Sequence, residues 1–425
     1  MSQPSNRDEP VSSAKSFGIS KQVVLESYRR VKAKKGAAGI DNESIEMFEA
    51  DLKSNLYRIW NRMSSGSYFP PAVKQVEIAK KNGGTRILGV PTVSDRIAQM
   101  VVKLYVEPQL DGLFHPDSYG YRRGKSAKQA IAITRQRCWH FDWVVEFDIK
   151  GAYDNLDHDL LMKAVRAHIK DRWLLLYIER WLKAPFKTAD GVLVPREKGT
   201  PQGGVVSSTL MNLFMHYSFD RWMQKTRPQC PFVRYADDAV VHCRSQAEAE
   251  HLLAEIGERL AQCKLTMHPD KSKVVYCKDS NRRKQYPQVQ FTFLGFTFMP
   301  RVAVNKQGQI FTGFLPAVSR DAIIRMLRTI KSWQLQRQTS TTIEDLSARY
   351  NPVLRGWWNF YSSFYQSAMD RVHLQVDRKL AYWARRKHKK LAGHLRQSFL
   401  WLERVARYRP GLFIHWQPTC RPATR

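Results

Sequence analysis

Short apolar runs between polar turns recur along the first 300 residues, and apolar positions at helical spacing dominate the remainder. Residues 73–78 and 87–90 flank an Asn-Gly-Gly sequence, which predicts two antiparallel strands joined by a tight turn. Residues 323–330 carry apolar side chains on one face of a predicted helix. A second helix is predicted to begin at Asn351 and Pro352, an N-cap followed by a first-turn proline. Strand patterns followed by helical patterns indicate an α+β fold.

Three acidic residues stand at the ends of predicted strands. The sequence Tyr235-Ala236-Asp237-Asp238 lies between two apolar runs, which predicts a β-hairpin with adjacent carboxylates at its tip. A strand pattern over residues 144–149 ends near Asp148. Adjacent carboxylates repel each other, so their pairing favours a bound cation. Carboxylates from neighbouring strands suit two Mg²⁺ ions roughly 3.5–4 Å apart in phosphoryl transfer. The acids therefore predict a nucleic-acid polymerase with Asp148, Asp237 and Asp238 as metal ligands.

The net charge of the chain indicates a polyanionic partner. There are 69 Lys and Arg against 38 Asp and Glu, a formal net charge of +31, and neutralising phosphates releases counterions and favours binding. Residues 301–425 alone hold 23 basic and 6 acidic residues together with many aromatic rings. This combination suits RNA, whose unpaired bases stack on rings. The alternatives are a ribosome-associated or merely basic soluble protein, and rings that belong to the core.

Composition limits the remaining classes of protein. With 425 residues and 43% hydrophobic content, the chain can bury two or three cores. No apolar run approaches the ~20 residues needed to cross a membrane, and the polar start is unlike a secretory signal. The six cysteines form no Cys-x-x-Cys pair, so we expect neither a zinc site nor a disulfide framework. These features predict a cytoplasmic protein without a membrane partner.

Two glycine-containing turns are candidate phosphate sites. Lys80 and Arg86 flank the turn of the first predicted hairpin, where they could hold a triphosphate or a backbone phosphate. The alternative is an ordinary solvated hairpin tip. Residues 199–204 read Gly-Thr-Pro-Gln-Gly-Gly and precede a long apolar helix predicted over residues 205–223. Glycines let the backbone approach a ligand closely, and a helix N-terminus favours phosphate.

The order of these motifs resembles that of the reverse transcriptases encoded by bacterial group II introns, proteins that also act as maturases. The resemblance covers nearly the whole chain, from about residue 28 to residue 390. The motifs that carry it are, in chain order, Lys35-Gly36-Ala37-Ala38-Gly39-Ile40-Asp41, Val90-Pro91-Thr92-Val93-Ser94-Asp95-Arg96, Ser118-Tyr119-Gly120-Tyr121-Arg122, Phe147-Asp148-Ile149-Lys150-Gly151-Ala152-Tyr153-Asp154, Thr200-Pro201-Gln202-Gly203-Gly204, Tyr235-Ala236-Asp237-Asp238, Phe293-Leu294-Gly295-Phe296 and Gly356-Trp357-Trp358-Asn359-Phe360-Tyr361.

The resemblance implies a right-hand polymerase fold, with fingers, an antiparallel palm sheet and a helical thumb. The chain is then expected to divide into a disordered N-terminus over residues 1–20, an N-terminal extension and fingers over 21–140, a palm with inserted fingers helices over 141–300, a thumb and maturase domain over 310–390 and a basic C-terminal tail over 391–425.

The resemblance also implies site residues and cofactors. Asp148, Asp237 and Asp238 match the catalytic acids, which hold two Mg²⁺ ions with the carbonyl of Ile149 as an extra ligand and with Mn²⁺ as an acceptable substitute. The positions expected to bind the nucleotide are Lys80, Arg86, Gln202 and Tyr153, the last as a steric gate against a ribose 2′-hydroxyl. Residues expected to bind RNA are Arg355, Arg385, Arg386 and Lys387.

The chain departs from the family pattern at several points. Ala79, Ile87 and Ser208 replace prolines that are usual there, and none of these changes removes a ligand or a charge. Many relatives carry a zinc-containing HNH endonuclease after the thumb, and neither the length nor the cysteines of this chain predict one. If the chain belongs to a mobile genetic element, cleavage of the DNA target is then expected to come from another source.

The implied function is copying of intron RNA into DNA together with binding of that RNA to promote splicing. The expected partners are group II intron RNA, an RNA template with a DNA primer, and deoxynucleoside triphosphates, in a bacterial cytoplasm and associated with the nucleoid or a ribonucleoprotein. Two alternatives stay open: a host-domesticated reverse transcriptase, in phage defence or beside a CRISPR array, and a splicing factor with incidental polymerase activity. Tyr153 disfavours an RNA-templated RNA polymerase.

Overall fold

A computed structural model describes residues 17–79, 85–305 and 307–417. Residues 1–16 of the segment predicted to be disordered (residues 1–20) lie outside the described part, and so does Lys80. In chain order the helices and strands are α1 (Lys21–Lys32), α2 (Ile45–Ala50), α3 (Leu52–Ser64), β1 (Val73–Ala79), β2 (Thr85–Val90), α4 (Val93–Asp111), α5 (Ala127–Arg137), β3 (Trp143–Phe147), α6 (His158–His168), α7 (Arg172–Lys183), β4 (Phe186–Lys187), β5 (Leu193–Val194), α8 (Ser207–Met215), α9 (Arg221–Thr226), β6 (Phe232–Tyr235), β7 (Asp238–Cys243), α10 (Gln246–Gln262), β8 (Lys273–Tyr276), β9 (Phe291–Phe293), β10 (Phe296–Val304), β11 (Ile310–Val318), α11 (Arg320–Ser332), α12 (Ile343–Tyr361), α13 (Asp370–Lys387) and α14 (Leu395–Tyr408).

The chain divides into two compact units. The first contains Met1–Arg123, Asp148–Pro228 and Glu255–His268, and the second contains Gly124–Phe147, Gln229–Ala254 and Pro269–Arg425. Both units mix helices and strands, which confirms the predicted α+β class. None of the helices in the described part of the chain is long and apolar enough to cross a membrane.

The first unit is built from helices around a small sheet with strand order β2-β1-β4-β5. Strands β1 and β2 pair antiparallel with Val76 opposite Leu88, which confirms the predicted hairpin. Helix α4 begins where the side chain of Thr92 accepts a hydrogen bond from the Asp95 backbone N–H, and its buried face includes Ile97. Thr92 thus fixes the start of the longest helix in this unit.

The apolar helix predicted after the glycine-rich turn is present but is not uniform. Helix α8, a π-helical turn over His216–Asp220 and helix α9 follow one another without a break in the chain. Nearly all side chains of α8 are buried, in keeping with their apolar character. The glycine-rich turn is therefore fixed at one end by an element held inside the first unit.

The second unit contains an antiparallel sheet with strand order β6-β7-β3-β8. Strand β3 lies in its centre, and Val144 and Val145 are fully buried. Strand β7 pairs with β3 on one side and with β6 on the other, where the β6–β7 hairpin contains the adjacent acids. The same unit holds a second sheet, β11-β10-β9, in which β10 and β11 form a long hairpin.

Helices α11 to α14 belong to the second unit and enclose one hydrophobic core. Its largest fully buried side chain is Trp383, and Ile330, Leu354 and Leu380 pack in the same core. Helix α11 begins with the predicted cap, since the Ser319 hydroxyl accepts a hydrogen bond from a backbone N–H. The aromatic rings of this region are mainly structural, because most of them lie in or against this core.

Three predictions for this region are wrong: the start of the thumb, the start of helix α12 and the C-terminal tail. The thumb was expected to start at residue 310, but β11 occupies Ile310–Val318. Helix α12 starts at Ile343 rather than at Asn351, because Thr342 and Asp345 form a capping box nine residues earlier, and Pro352 lies inside the helix.

The predicted basic tail over 391–425 is also wrong for residues 395–417. This stretch contains α14, and Leu402, Phe413 and Trp416 are buried in the core of the helical region. The sequence predicted only a basic tail here, whereas the apolar positions of α14 form a buried face.

Candidate functional site

The adjacent acids lie at the tip of the β6–β7 hairpin, as predicted. Tyr235 pairs with Asp238, so the turn between the strands consists of Ala236 and Asp237 alone. Ala236 has φ of +58°, a value that favours glycine and costs a residue with a side chain of order 1–3 kcal/mol. The turn is held in a strained conformation, with Asp237 half-buried and Asp238 exposed.

Arg234 supports this turn from inside the protein. It is fully buried, and its Nη1 donates a hydrogen bond of 2.7 Å to the carbonyl of Ala236. A hydrogen bond from a charged donor is stronger than a neutral one, so Arg234 helps to keep Ala236 in its unusual conformation. The sequence analysis missed this residue. Its signal was a charged side chain in an otherwise apolar strand.

Strand β3 runs beside the hairpin within the second unit. Phe147, its last residue, pairs with Ala239, and Val145 pairs with Val241. Asp238 immediately precedes Ala239 in the chain, and Asp148 immediately follows Phe147. Asp148 and Asp238 are thus each adjacent in sequence to one member of the Phe147–Ala239 pair, which ends the β3–β7 ladder.

The backbone around Asp148 is fixed within the first unit. The carbonyl of Asp148 accepts a hydrogen bond of 2.7 Å from His268 N–H, and Lys150 N–H donates one of 2.8 Å to Thr266. Ile149 forms an isolated antiparallel bridge with Met267 between these two bonds. The two candidate metal ligands at 148 and 149 therefore sit on backbone that a neighbouring segment holds in place.

Tyr153, the candidate gate, packs against the glycine-rich turn. Its side chain is buried, and its carbonyl accepts a hydrogen bond of 2.8 Å from Thr200 N–H. Gly199 has φ of +78°, and a Cβ there would stand 2.6 Å from the carbonyl oxygen of Asp154. Only glycine, which has no Cβ, allows the two backbone segments to come this close. The glycine-rich turn and the segment that contains Tyr153 are therefore held against each other.

Arg86 and Gln202 are brought together in the first unit. Arg86 Nε donates a hydrogen bond to Gln202 Oε1, and Gly89 N–H donates one of 3.0 Å to the Gln202 carbonyl. At Gly203 a Cβ would lie 2.4 Å from the carbonyl oxygen of Gly89. Two of the four predicted nucleotide-binding side chains are thus in direct contact, at the junction of β2 and the glycine-rich turn.

A buried polar network supports this turn and was missed by the sequence analysis. Gln99 Oε1 accepts a hydrogen bond of 2.7 Å from Val205 N–H, just after the turn, and Gln99 Nε2 donates to Asp95 Oδ2. The other oxygen of Asp95 accepts from Tyr68 and Trp181. Burial raises the pKa of Asp95, and the hydrogen bonds to its carboxylate oppose this effect.

The predicted RNA-binding residues differ in their surroundings. Arg355 on α12 and Arg386 on α13 are exposed, and Arg385 is half-buried with its guanidinium 5.7 Å from the centre of the Tyr382 ring. Lys387 Nζ donates hydrogen bonds to the carbonyls of Thr339 and Thr341, at 3.0 and 2.6 Å. Its ammonium group therefore holds the connection between α11 and α12.

Comparison with known proteins gives two family matches. Residues 78–298 match the family described as reverse transcriptase (RNA-dependent DNA polymerase). Residues 323–401 match the maturase-specific domain of group II introns.

The chain is also similar to individual proteins. Protein YkfC of Escherichia coli (strain K12) is 30% identical over 295 residues, which cover 60% of this chain and 77% of YkfC. The group II intron-encoded protein LtrA of Lactococcus lactis subsp. cremoris is 30% identical over 214 residues, or 50% of this chain and 35% of LtrA. A solved structure of telomerase from Candida albicans with a telomeric RNA fragment aligns at a TM-score of 0.45 and 12% identity, over 88% of this chain and 67% of the other.

Proposed function

The chain belongs to the reverse transcriptase (RNA-dependent DNA polymerase) family and carries a group II intron maturase-specific domain, and from this membership we propose that Asp148, Asp237 and Asp238 are its catalytic acids. Membership gives the chain the right-hand polymerase fold and RNA-directed DNA polymerase activity. The substrates, the metal ions and the role of each residue belong to the proposal.

The observation that carries the proposal is the pairing of Phe147 with Ala239. Asp148 follows Phe147 in the chain and Asp238 precedes Ala239. Both acids are therefore next in sequence to the last residue pair of the antiparallel β3–β7 ladder. Asp237 lies one residue further along the same hairpin turn. Carboxylates at such a position suit a pair of divalent ions in phosphoryl transfer.

The proposed ligands fit Mg²⁺ by their chemistry. They comprise three carboxylates and the backbone carbonyl of Ile149, all oxygen donors, and hard divalent cations prefer oxygen. Mn²⁺ accepts the same donors. When bound, the two ions would activate the primer 3′-hydroxyl and neutralise charge on the leaving pyrophosphate. The protein's own part is to hold the carboxylates in place through the strained turn at Ala236 and the bond from Arg234.

The first unit would position the incoming nucleotide. Arg86 would offer its guanidinium to the triphosphate, with Lys80 from the same hairpin, and Gln202 would steady the nucleotide against the template. The contact between Arg86 and Gln202 supports this assignment, because it brings a cation to the glycine-rich turn. Tyr153 would exclude a ribose 2′-hydroxyl and so select deoxynucleotides. The backbone of Tyr153 is held against the glycine-rich turn, which leaves it little room to move.

The maturase domain implies RNA binding, and we propose group II intron RNA as the partner. Arg355, Arg385 and Arg386 would contact its phosphates. The helical region over residues 320–417 would serve both as the polymerase thumb and as the maturase domain, with fingers over 21–140 and palm over 141–300. The protein would act in the cytoplasm as part of a ribonucleoprotein.

Primer extension tests the proposal. Wild-type protein should extend a DNA primer on an RNA template with deoxynucleotides and Mg²⁺. Asp237→Ala should reduce extension by at least about 10²–10³-fold, the loss typical when one preorganised electrostatic group is removed. RNA affinity should change little, because the variant removes no positive charge.

Asp159→Ala is the matched control, since it removes an exposed acid of the first unit that has no proposed role. It should extend like the wild type. Equal extension by Asp237→Ala and the wild type would contradict the assignment of the catalytic acids. Loss of RNA binding together with extension would instead make Asp237 a structural residue.

A further inference from the structure

Two buried cysteines face each other at the base of the β6–β7 hairpin, away from the acids. Cys243 is the last residue of β7, and Cys230 lies two residues before β6. A hydrogen bond of 2.9 Å from His242 N–H to the Pro231 carbonyl extends the pairing of these strands to the cysteines. Their exposed fractions are 2% for Cys230 and 0% for Cys243, and both are free thiols.

Glu248, in the first turn of α10, completes this cluster. The Cys230 Sγ lies 3.3 Å from Glu248 Oε1, and Glu248 Oε2 accepts a hydrogen bond of 2.8 Å from Arg244 N–H. The carboxylate is therefore oriented with one oxygen toward the sulfurs. One ligand atom from each of the three residues lies within 4.8 Å of the other two.

A second cysteine pair in the same unit has an arginine instead of a carboxylate as its charged neighbour, and that arginine forms ion pairs with Asp142 and Asp279. Cys138 and Cys277 are also buried and free, and their side chains are hydrogen-bonded to each other. Their charged neighbour is Arg282, which donates a hydrogen bond of 2.8 Å to the Cys138 carbonyl. A guanidinium disfavours a nearby cation, whereas the Glu248 carboxylate attracts one. The chain thus provides a matched comparison for the cluster at the hairpin base.

Although the absence of a Cys-x-x-Cys pair predicted no zinc site, we propose that Cys230, Cys243 and Glu248 form a binding site for a soft divalent cation, with Zn²⁺ as the natural occupant. Thiolates and carboxylates are both zinc ligands, and a site with three protein ligands can take water in the fourth position. Binding would deprotonate both thiols and release two protons to solvent, while the carboxylate is already ionised. Glu248 is only half-buried, which leaves an entry path for the ion.

The site would stabilise the hairpin rather than take part in nucleotide transfer. Cys243 lies five positions after Asp238 along β7, a span of roughly 17 Å at the usual rise of a strand. The ion would cross-link the two strands and the start of α10 at the end opposite the acids. The proposal is independent of the polymerase assignment, because it uses none of the same residues.

Cadmium is the probe for this site, because its bonds to thiolates absorb in the ultraviolet. The full-length protein would be titrated with Cd²⁺ under a phosphine reductant and excess Mg²⁺, so that oxygen sites are occupied by the harder ion. Cys420, which lies outside the described residues, would be replaced by Ser in every variant. We expect one Cd²⁺ per chain with a thiolate absorption band, and displacement of Cd²⁺ by Zn²⁺.

Three variants and one control decide the outcome. Cys230→Ser and Cys243→Ser should abolish the band, and Glu248→Gln should weaken binding by at least about tenfold. Glu248→Gln preserves the size of the side chain, so it keeps the test valid if a cysteine variant fails to fold. Cys138→Ser should bind as the parent does. No stoichiometric band, a band that survives Cys230→Ser and Cys243→Ser, or an affinity unchanged in Glu248→Gln would overturn the proposal.

Discussion

His242 illustrates how one buried residue can set the pH dependence of stability. It lies on β7, is fully buried, and neither ring nitrogen has a hydrogen-bond partner among the described residues. Burial, followed by the positive charge of Arg137, lowers its pKa from about 6.5 to about 3. The unfolded chain therefore binds a proton on this imidazole at a higher pH than the folded protein does. The contribution of His242 to the free energy of unfolding is therefore at its full value above about pH 6.5, and the free energy of unfolding falls as the pH is lowered from there toward 3.

His242→Phe should remove this dependence. Between pH 6.5 and about pH 5 the wild type should lose about 2 kcal/mol of unfolding free energy through His242 alone, since one pH unit corresponds to about 1.4 kcal/mol. The variant should lose correspondingly less, because Phe keeps a planar ring and carries no ionisable group. Urea unfolding at about pH 7.5 and about pH 5 measures the difference. His251→Phe, at an exposed position, should keep the wild-type dependence, and equal losses in His242→Phe and the wild type would refute the argument.

Tyr153, the proposed steric gate, would act through the size of its ring alone. Tyr153→Ala should admit ribonucleotides more readily and lower the preference for deoxynucleotides by about 10–200-fold, the range for adding or removing one small group in a tight pocket. Tyr153→Phe keeps the ring and should retain the preference. Single-nucleotide incorporation with dNTP and rNTP at matched concentrations measures the ratio. Unchanged discrimination in Tyr153→Ala would remove the gate assignment without affecting the catalytic acids.

At the scale of elements, local patterns were sufficient where a segment's partner is its neighbour in sequence. The hairpins β1–β2 and β6–β7 and the Ser319 cap of α11 all follow from short-range signals, and the structure contains each of them. A hairpin places its acids by turn geometry alone, so the tip at Asp237 was also predictable. The α+β class follows from the same signals.

Helix α12 shows where local patterns mislead. Asn351-Pro352 has the form of a helix start, but the Asn351 side chain instead donates a hydrogen bond to the Leu412 carbonyl and accepts one from Ile414 N–H. These partners lie about sixty positions away in sequence, so no local rule could anticipate them. The burial of Phe413 depends on the same tertiary contact. The capping box at Thr342 starts the helix nine residues earlier and so leaves Pro352 inside it, whereas packing of the distant C-terminal segment made the predicted tail part of the core.

The supporting residues of the site were missed for the same reason. Gln99 contacts Val205 across more than a hundred positions of sequence, and Arg86 meets Gln202 across a similar separation. Sequence motifs predicted which groups bind a nucleotide, and that assignment stays a proposal, whereas the groups that hold these residues depend on how distant segments pack. Arg234 is an intermediate case, because a charge inside an apolar strand is visible in the sequence although its partner is not.

At the scale of the whole molecule, the excess of positive charge is the feature that most strongly indicates a polyanionic partner. The formal net charge is +31, and residues 301–425 carry 23 basic against 6 acidic residues. Rings of the same region pack mainly in its core, with Trp333 stacked on Tyr350 at 4.4 Å between ring centres. Exposed arginines rather than stacked bases are therefore the expected source of RNA affinity in this region, and electrostatic affinity of this kind declines with salt.

The salt dependence of RNA binding tests this view, because each phosphate contact contributes about 0.7–0.9 to the slope of log affinity against log salt. Arg355→Gln combined with Arg386→Gln removes two exposed charges and should lower the slope by about 1.5. Lys387→Gln is the matched comparison, since its ammonium already donates to the carbonyls of Thr339 and Thr341. That variant should lower the melting temperature and leave the slope nearly unchanged. Filter binding at several salt concentrations measures the slopes, and a larger slope change for Lys387→Gln than for the double variant would reverse the roles assigned to these residues.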